Sequence, residues 1–158
     1  LVIMGGAVRV GYQAGSPPCA EYNIRCDPAA ARGVFESGAP LLVVPLDATA
    51  MLQPSRQQLD ALAASPTPLA QAVSECLNLW GRGVPTLFDP MAVACAIDQA
   101  SGEGALRFVT TERLHLEVTE EGLTIERADK PANAEVAMEA KREEFLDWYF
   151  GTLLARRG

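Results

Sequence analysis

The sequence predicts an α/β fold in which helices alternate with buried strands and a β-hairpin is added late in the chain. Two observations predict the alternation: "PLLVVPL" at 40–46 has the continuous hydrophobicity of a strand covered on both faces, and capped helical segments lie on either side of it. A third observation, the alternation of polar and apolar residues at 106–128, predicts the hairpin. The 158 residues are enough for one domain with a hydrophobic core.

The first half of the chain has clear start and stop signals. Asp27 is a suitable N-cap, Pro28 suits the first helical position, and Gly38 ends the helix that they begin. The pair Gly5-Gly6 ends the first strand. The predicted elements are a strand at Leu1–Met4, a loop at 11–20, a helix at 29–37, the strand at 40–46, and helices at 54–65 and 68–83.

The second half of the chain begins with one more helix and then changes from helical to strand-like patterning. The predicted elements are a helix from Asp89-Pro90 to about Asp98, two hairpin strands around the turn "TEEG" at 119–122, a strand at 135–140, and a helix at about 141–155. The last helix places Phe145, Trp148, Tyr149 and Leu153 on one face at helical spacing, which predicts a core-facing side.

Composition excludes several classes of protein. A hydrophobic content of 49% with 21% charged residues is that of a globular chain, not of a disordered one. The net charge of −7 argues against nucleic-acid and anionic-membrane partners, because phosphate binding needs clustered Lys and Arg. No apolar run approaches the roughly 20 residues that span a bilayer.

The cysteines and the single histidine limit the metal chemistry. Cys19, Cys26, Cys76 and Cys95 form no C-x-x-C pair, which disfavours a zinc or redox motif and suits the reducing cytoplasm. A Cys19–Cys26 disulfide is the alternative. His115 lies in the alternating segment without an adjacent nucleophile or acid, so a solvent-facing position is expected.

Asp89 has two interpretations. An Asp before Pro at a helix start is what N-capping requires, and Asp27 has the same local sequence. The positive end of a helix also keeps a carboxylate ionised, so that Asp89 can ligate a hard cation such as Ca²⁺.

Polar side chains next to the loop and after the second strand are further candidates. Glu21 and Asn23 would point the same way on an extended strand and can bind a polyol or an amide; alternatively they satisfy loop backbone groups. Asp47 and Thr49 follow a buried strand, where ligands collect in α/β sheets, but turn formation is the favoured interpretation.

Four stretches resemble the C-terminal half of the inosine–uridine-type nucleoside hydrolases. They are "IMGGA" at 3–7, "AEYNIRCDPAAARGVFESGAPLLVVPLDATAMLQPSRQQL" at 20–59, "TLFDPMAVACAIDQ" at 86–99 and "NAEVAMEAKREEFLDWYFGTLL" at 133–154. Their order, spacing and local chemistry agree with that family, and together they are more specific than any one alone.

The resemblance implies an open, mostly parallel sheet with flanking helices and a calcium-dependent hydrolysis of the N-glycosidic bond of ribonucleosides. In this family a bound Ca²⁺ holds the attacking water, and the charge of an oxocarbenium-like transition state is stabilised by that ion and nearby carboxylates. Matched residue by residue, Asp89 corresponds to a calcium ligand. Met4, Glu21 and Asn23 correspond to ribose-contacting residues, and Phe88 lies where it can stack on a base.

The departures from the family pattern concern its catalytic groups. The early D-x-D-x-x-x-D-D cluster, which supplies most calcium ligands and the water-activating base, is absent from these residues. Phe88 and Ala50 stand where many members have histidines, and Tyr12 stands near an expected ribose-binding asparagine. Phe88 cannot donate a proton to a leaving base.

We therefore expect residues 1–158 to be the C-terminal portion of a single nucleoside hydrolase-like domain, with its catalytic residues in an N-terminal part and no activity of its own. The expected partner is a small-molecule nucleoside, in a cytoplasmic homo-oligomer of nucleoside salvage. The alternatives are a non-catalytic ribosyl- or sugar-binding protein and a structural fragment that pairs with its missing half. The nucleobase is not predictable, because its contacts come from variable loops.

Overall fold

The computed structural model describes residues 1–13, 15–102 and 105–155. Their order along the chain is β1 (Val2–Met4), α1 (Tyr22–Cys26), α2 (Pro28–Glu36), β2 (Leu42–Val44), α3 (Leu46–Thr49), α4 (Arg56–Ala64), α5 (Pro68–Trp80), α6 (Phe88–Ser101), β3 (Val109–Leu114), β4 (Leu116–Val118), β5 (Thr124–Glu126), β6 (Ala134–Ala140) and α7 (Arg142–Leu154). The α/β class is confirmed.

The main sheet has the order β1-β2-β6-β3. Strands β1, β2 and β6 run parallel, and β3 pairs with β6 in the antiparallel direction. Strands β4 and β5 form a separate two-stranded hairpin. The carboxyl ends of β1 and β2 therefore lie at the same edge of the sheet, which is where ligands bind in open α/β folds.

The two faces of the sheet are covered by different elements. Leu42 and Val44 point into a core formed with helices α4 to α7, whereas the intervening Val43 points into a second core with α2 and the β4–β5 hairpin. This alternation follows from the two-residue period of a strand. It explains why the strand at 42–44, within the apolar run, is buried on both faces, as predicted.

The last helix is confirmed, with the predicted apolar face inward. Phe145 and Leu153 are buried, and Trp148 and Tyr149 pack against the same core. The ring centroid of Phe108 lies 5.8 Å from the centroid of Phe145 and 5.2 Å from that of Trp148. An aromatic cluster therefore joins α7 to the start of β3. None of the described helices is long and apolar enough to cross a membrane.

Three local predictions were wrong. Asp89 is not an N-cap: helix α6 begins at Phe88, its N-cap is Leu87, and Asp89 lies inside the first turn. Asp47 and Thr49 form the short helix α3 instead of a turn. His115 is not solvent-facing, because its side chain is only 19% exposed and its Nδ1 is bonded to the Pro131 carbonyl oxygen at 2.7 Å.

The predicted hairpin is correct only in its second part. The turn at 119–122 closes as expected, with Gly122 N–H donating to the Thr119 carbonyl oxygen at 3.1 Å. However, the residues before His115 leave the hairpin and pair with β6 as strand β3. All four cysteines are free thiols, so the Cys19–Cys26 disulfide is not formed.

Candidate functional site

The candidate site lies at the carboxyl ends of β1 and β2, where the chain after β1 meets the start of α3. Gly5 N–H donates to the Val44 carbonyl oxygen at 3.3 Å, and Leu46 N–H donates to the Gly6 carbonyl oxygen at 2.9 Å. The Asp47 carboxylate accepts hydrogen bonds from the backbone N–H groups of Val8 (2.9 Å) and Arg9 (2.8 Å). Asp47 thus fixes the path of the loop after β1.

Glu21 is a buried carboxylate that joins this loop to helix α1. It is 3% exposed and is the N-cap of α1, accepting from the backbone N–H groups of Asn23 (3.0 Å) and Ile24 (3.2 Å). It also accepts from Gly6 N–H at 3.2 Å. Glu21 and Asn23 therefore do not lie on an extended strand, and Glu21 satisfies backbone donors, which was one of its two interpretations.

The glycine pair after β1 is needed for this close approach. Gly6 has φ +90°, and a Cβ atom there would lie 3.0 Å from Thr124 Oγ1. At Gly5 a Cβ atom would lie 3.1 Å from the Ile24 side chain. A side chain at either position would therefore require the Ile24 or Thr124 side chain to shift, and at Gly6 it would also strain the backbone.

Asn23 and Met4 are in direct contact. The Asn23 Nδ2 group donates to the Met4 carbonyl oxygen at 3.2 Å and lies 3.4 Å from the Met4 sulfur. Asn23 is exposed, and its Oδ1 accepts no hydrogen bond from the described residues. The amide oxygen is therefore available to a ligand hydroxyl.

An apolar cluster supports the same region. Ala7, Leu46 and Ala50 are its buried members, and Met4 and Phe88 pack against them. Ala50 and Phe88, which stand where the family pattern has histidines, thus both contribute hydrocarbon or ring surface here. Phe88 offers an aromatic face or edge but no proton.

Tyr12 bridges the polar and apolar parts of the site. Its hydroxyl accepts a hydrogen bond from Tyr22 N–H at 2.8 Å and donates to Glu21 Oε1 at 3.5 Å. Its ring is edge-on to that of Phe88, with the centroids 6.0 Å apart. Burial raises the pKa of Tyr12. Sequence reasoning noted Tyr12 only as a replacement and missed this bridge, because its partners are 9 to 76 residues away along the chain.

Asp89 lies next to Phe88 in the first turn of α6, where its charge is favourable to the helix dipole. It is exposed and accepts no hydrogen bond from the described residues. Within residues 1–13, 15–102 and 105–155, no three His, Cys, Asp or Glu side chains come together as a metal site. These residues do not by themselves fit Ca²⁺, which takes six to eight oxygen ligands.

A cavity among the described residues lies away from this site. Its volume is about 970 Å³, and it is lined by Leu41, Arg113, His115 and Ala134, among others. Because Leu41 and Ala134 precede β2 and begin β6, this cavity lies at the amino ends of the parallel strands. The candidate site lies at the opposite edge of the sheet, at the carboxyl ends of β1 and β2, and therefore does not coincide with this cavity.

Comparison with known proteins agrees with the fold. The sequence profile of the family "Inosine-uridine preferring nucleoside hydrolase" matches residues 1–147. The pyrimidine-specific ribonucleoside hydrolase RihA of Shewanella sp. (strain MR-4) is 33% identical over 159 residues, which cover 93% of this chain and 49% of that protein. RihA of Salmonella arizonae is also 33% identical, over 99% of this chain and 51% of its own length.

Solved structures show the same relationship. The purine-preferring ribonucleoside hydrolase from Gardnerella vaginalis superposes with a TM-score of 0.75 at 25% identity, covering 96% of this chain and 51% of that one. A plant nucleoside hydrolase, PpNRh1, shares the fold with a TM-score of 0.79 at 23% identity, over 98% of this chain and 53% of its own.

An open α/β sheet with polar and aromatic side chains at its carboxyl edge is typical of the α/β proteins that bind small molecules there. Within that class, the chain belongs to the inosine-uridine preferring nucleoside hydrolase family. It spans about half the length of the curated relatives that it matches.

Proposed function

We propose that this chain carries the sugar- and base-contacting part of a ribonucleoside hydrolase, an N-ribosyl hydrolase that cleaves the bond between ribose and a nucleobase. One observation carries the proposal: Met4, Asn23 and Phe88 converge at the carboxyl edge of β1 and β2, in a chain that belongs to the nucleoside hydrolase family. The relatives' names support ribonucleosides as the substrate class.

Each of these side chains suits one part of a nucleoside. The free Oδ1 of Asn23 can accept a hydrogen bond from a ribose hydroxyl, while its Nδ2 group is held by Met4. The Met4 sulfur and the Phe88 ring offer apolar contacts to the sugar and the base. Glu21 fixes the geometry of α1 and thereby the position of Asn23.

The hydrolytic step itself needs groups that these residues do not provide. Phe88 cannot protonate a leaving base, and we expect the catalytic residues outside the described part of the chain. Calcium dependence is part of the proposal for a longer protein, in which Asp89 would be one of several oxygen ligands. Residues 1–158 are then the C-terminal portion of one domain.

The test compares ligand binding with base release. Isothermal titration of the chain with uridine and with inosine should show binding that Asn23→Ala weakens, because the variant lacks the free amide oxygen. Asn78→Ala, an exposed amide on α5, is the control and should leave binding unchanged. Release of free base by residues 1–158 alone, measured by chromatography, would contradict the expected division of the site.

A second candidate is a non-catalytic ribosyl- or sugar-binding protein on the same scaffold. The observation that favours it is the pairing of Phe88 with Tyr12, which puts two aromatic rings beside the sugar-contacting residues in place of a histidine acid. Uridine binding without turnover in a chain that includes an upstream aspartate cluster would support the binder. Calcium-dependent turnover in such a chain would exclude it.

Two finer expectations complete the proposal. Strand β1 pairs only with β2 among the described strands, and an open strand edge favours association, so we expect a homo-oligomer. The four free cysteines favour the reducing cytoplasm as its location. Light scattering of the purified protein measures the oligomeric state, and a monomer across the micromolar range contradicts the expectation.

A further inference from the structure

Tyr12 makes the weakest of the contacts that saturate Glu21. The Oε2 atom of Glu21 accepts from three backbone donors, Gly6, Asn23 and Ile24, at 3.0 to 3.2 Å. The Oε1 atom accepts from Asn23 N–H at 3.0 Å and from the Tyr12 hydroxyl at 3.5 Å. Hydroxyl hydrogen bonds are usually about 2.7–2.8 Å long, so the Tyr12 contact is loose.

The second contact of Tyr12 holds its ring across the site. The edge-on packing against Phe88 joins the loop after β1 to the first residue of α6. The Tyr22 N–H bond to the Tyr12 hydroxyl joins the same loop to the first residue of α1. Tyr12 therefore lies between the carboxylate that orients the sugar-contacting residues and the ring that we assign to the base.

Tyr12 can leave this position without opening the core. The residue is 42% exposed, and it is not a member of the buried clusters. If it turns outward, Oε1 of Glu21 loses one hydrogen-bond donor and becomes accessible to another hydroxyl. Tyr22 N–H is exposed and can exchange its partner for water.

We propose that Tyr12 is a latch on the sugar-binding part of the site: its hydroxyl occupies the position at Glu21 Oε1 that a sugar hydroxyl takes, and a ribonucleoside binds after Tyr12 turns away. This proposal rests on the proposed function. It makes Tyr12 a determinant of affinity that acts by competition, not a residue that binds the sugar.

The variant Tyr12→Phe tests the competition, because it removes the hydroxyl and keeps the ring. Since a neutral hydrogen bond contributes little net free energy, we expect the Kd for uridine to fall by roughly two- to ten-fold. Tyr22→Phe is the matched control: it makes the same chemical change at an exposed neighbour whose backbone, not its hydroxyl, contacts Tyr12. Its Kd should equal that of the unaltered chain.

A ligand-free measurement tests the latch contact itself. Hydrogen exchange of the Tyr22 amide should be faster in Tyr12→Phe than in the unaltered chain, because the acceptor of that N–H is removed. Exchange of the Ile24 amide, which is bonded to Glu21, should change little in the same variant. An unchanged Tyr22 rate overturns the latch.

The binding results separate the two proposals. A Kd for uridine that is unchanged or higher in Tyr12→Phe overturns the latch and leaves the ribonucleoside site in place. The other outcome is that neither the unaltered chain nor either variant binds uridine, although the Tyr22 amide exchanges faster in Tyr12→Phe. That result contradicts the proposed function and, with it, the gating role of Tyr12.

Discussion

Replacing the Glu21 carboxylate by its neutral isostere, Glu21→Gln, should destabilise the fold strongly. The carboxylate accepts from the N–H groups of Gly6 and Ile24, both of which are buried, and from Asn23 N–H. Glutamine keeps one acceptor oxygen and turns the other into a donor that faces an N–H group. An amide oxygen at the Oε2 position can still accept from all three donors, but these hydrogen bonds lose their charge assistance. The amide group at the Oε1 position faces the Asn23 N–H group, and the N-cap of α1 is weakened.

The magnitude follows from these contacts. A hydrogen bond to a charged group contributes about 1.5–3 kcal/mol, and an N-cap about 1 kcal/mol, so we expect the free energy of unfolding to fall by about 2–4 kcal/mol. Urea titration followed by far-UV circular dichroism measures this loss by linear extrapolation. The effect should be absent from Glu75→Gln, because Glu75 is exposed on α5 and has no hydrogen bond to a described residue.

A loss in Glu21→Gln no larger than that of the control would refute this reasoning. It would mean that the three backbone donors find water or other acceptors, and that α1 does not depend on Glu21. The position of Asn23 would then need another explanation.

Three further predictions concern other parts of the chain. Gly6→Ala should destabilise the fold by roughly 1–3 kcal/mol, because Gly6 has φ +90° and lies close to Thr124 Oγ1. Gly33→Ala, in open space on α2, should stabilise the fold by about 0.5–1 kcal/mol. Equal effects of the two variants in urea titration would contradict the steric argument. Hydrogen bonds from Lys130 and Arg127 lower the pKa of Glu117 from 4.5 to about 2. The contribution of Glu117 to stability should therefore be complete above pH 4.5 and be lost as the pH falls towards 2. An ordinary pKa for Glu117 in an NMR titration, or a pKa that does not rise in Lys130→Ala, would refute the assignment. Burial raises the pKa of the Cys95 thiol to about 12. At pH 8 a thiol reagent should therefore label the exposed Cys26 and Cys76 and spare Cys95 until the protein unfolds. Rapid labelling of Cys95 in the folded protein would contradict its burial.

Several elements were predictable because their signals are local. The strand at 42–44, the helix after Asp27 and the last helix depend on apolar runs, caps and helical spacing that a few neighbouring residues contain. Helices α1 and α3 were missed because they have five and four residues, too few to show a period.

Asp27 and Asp89 show where local chemistry is insufficient. Both precede proline, yet Asp27 caps its helix with a bond to Ala30 N–H at 2.9 Å, whereas Asp89 lies inside α6. The difference is tertiary: Leu87 is buried, and its N–H donates to the Leu52 carbonyl oxygen at 2.9 Å, which fixes the chain so that the helix starts at Phe88. Pro90 is tolerated there because N–H groups in a first turn have no helical acceptor.

The hairpin shows the same limit for strands. Alternation at 106–128 identifies strand-forming residues but not their partners, and the partner of β3 is β6, some 25 residues away along the chain at Thr111 and Ala137. The break falls at His115, whose ring is held by the Pro131 carbonyl group. Pairing of this kind is decided by long-range packing, which the period of a sequence does not contain.

In the site, the neighbouring Glu21 and Asn23 have different roles, which the sequence could not separate. Glu21 is buried and uses its oxygens on backbone donors, so it determines where α1 begins; Asn23 is exposed, and its amide is oriented by Met4. Changes at Glu21 should therefore alter stability and binding together, whereas Asn23→Ala should alter binding with little effect on the urea midpoint. A large loss of stability in Asn23→Ala would show that the Met4 contact supports the fold and would remove Asn23 as a reporter of the ligand.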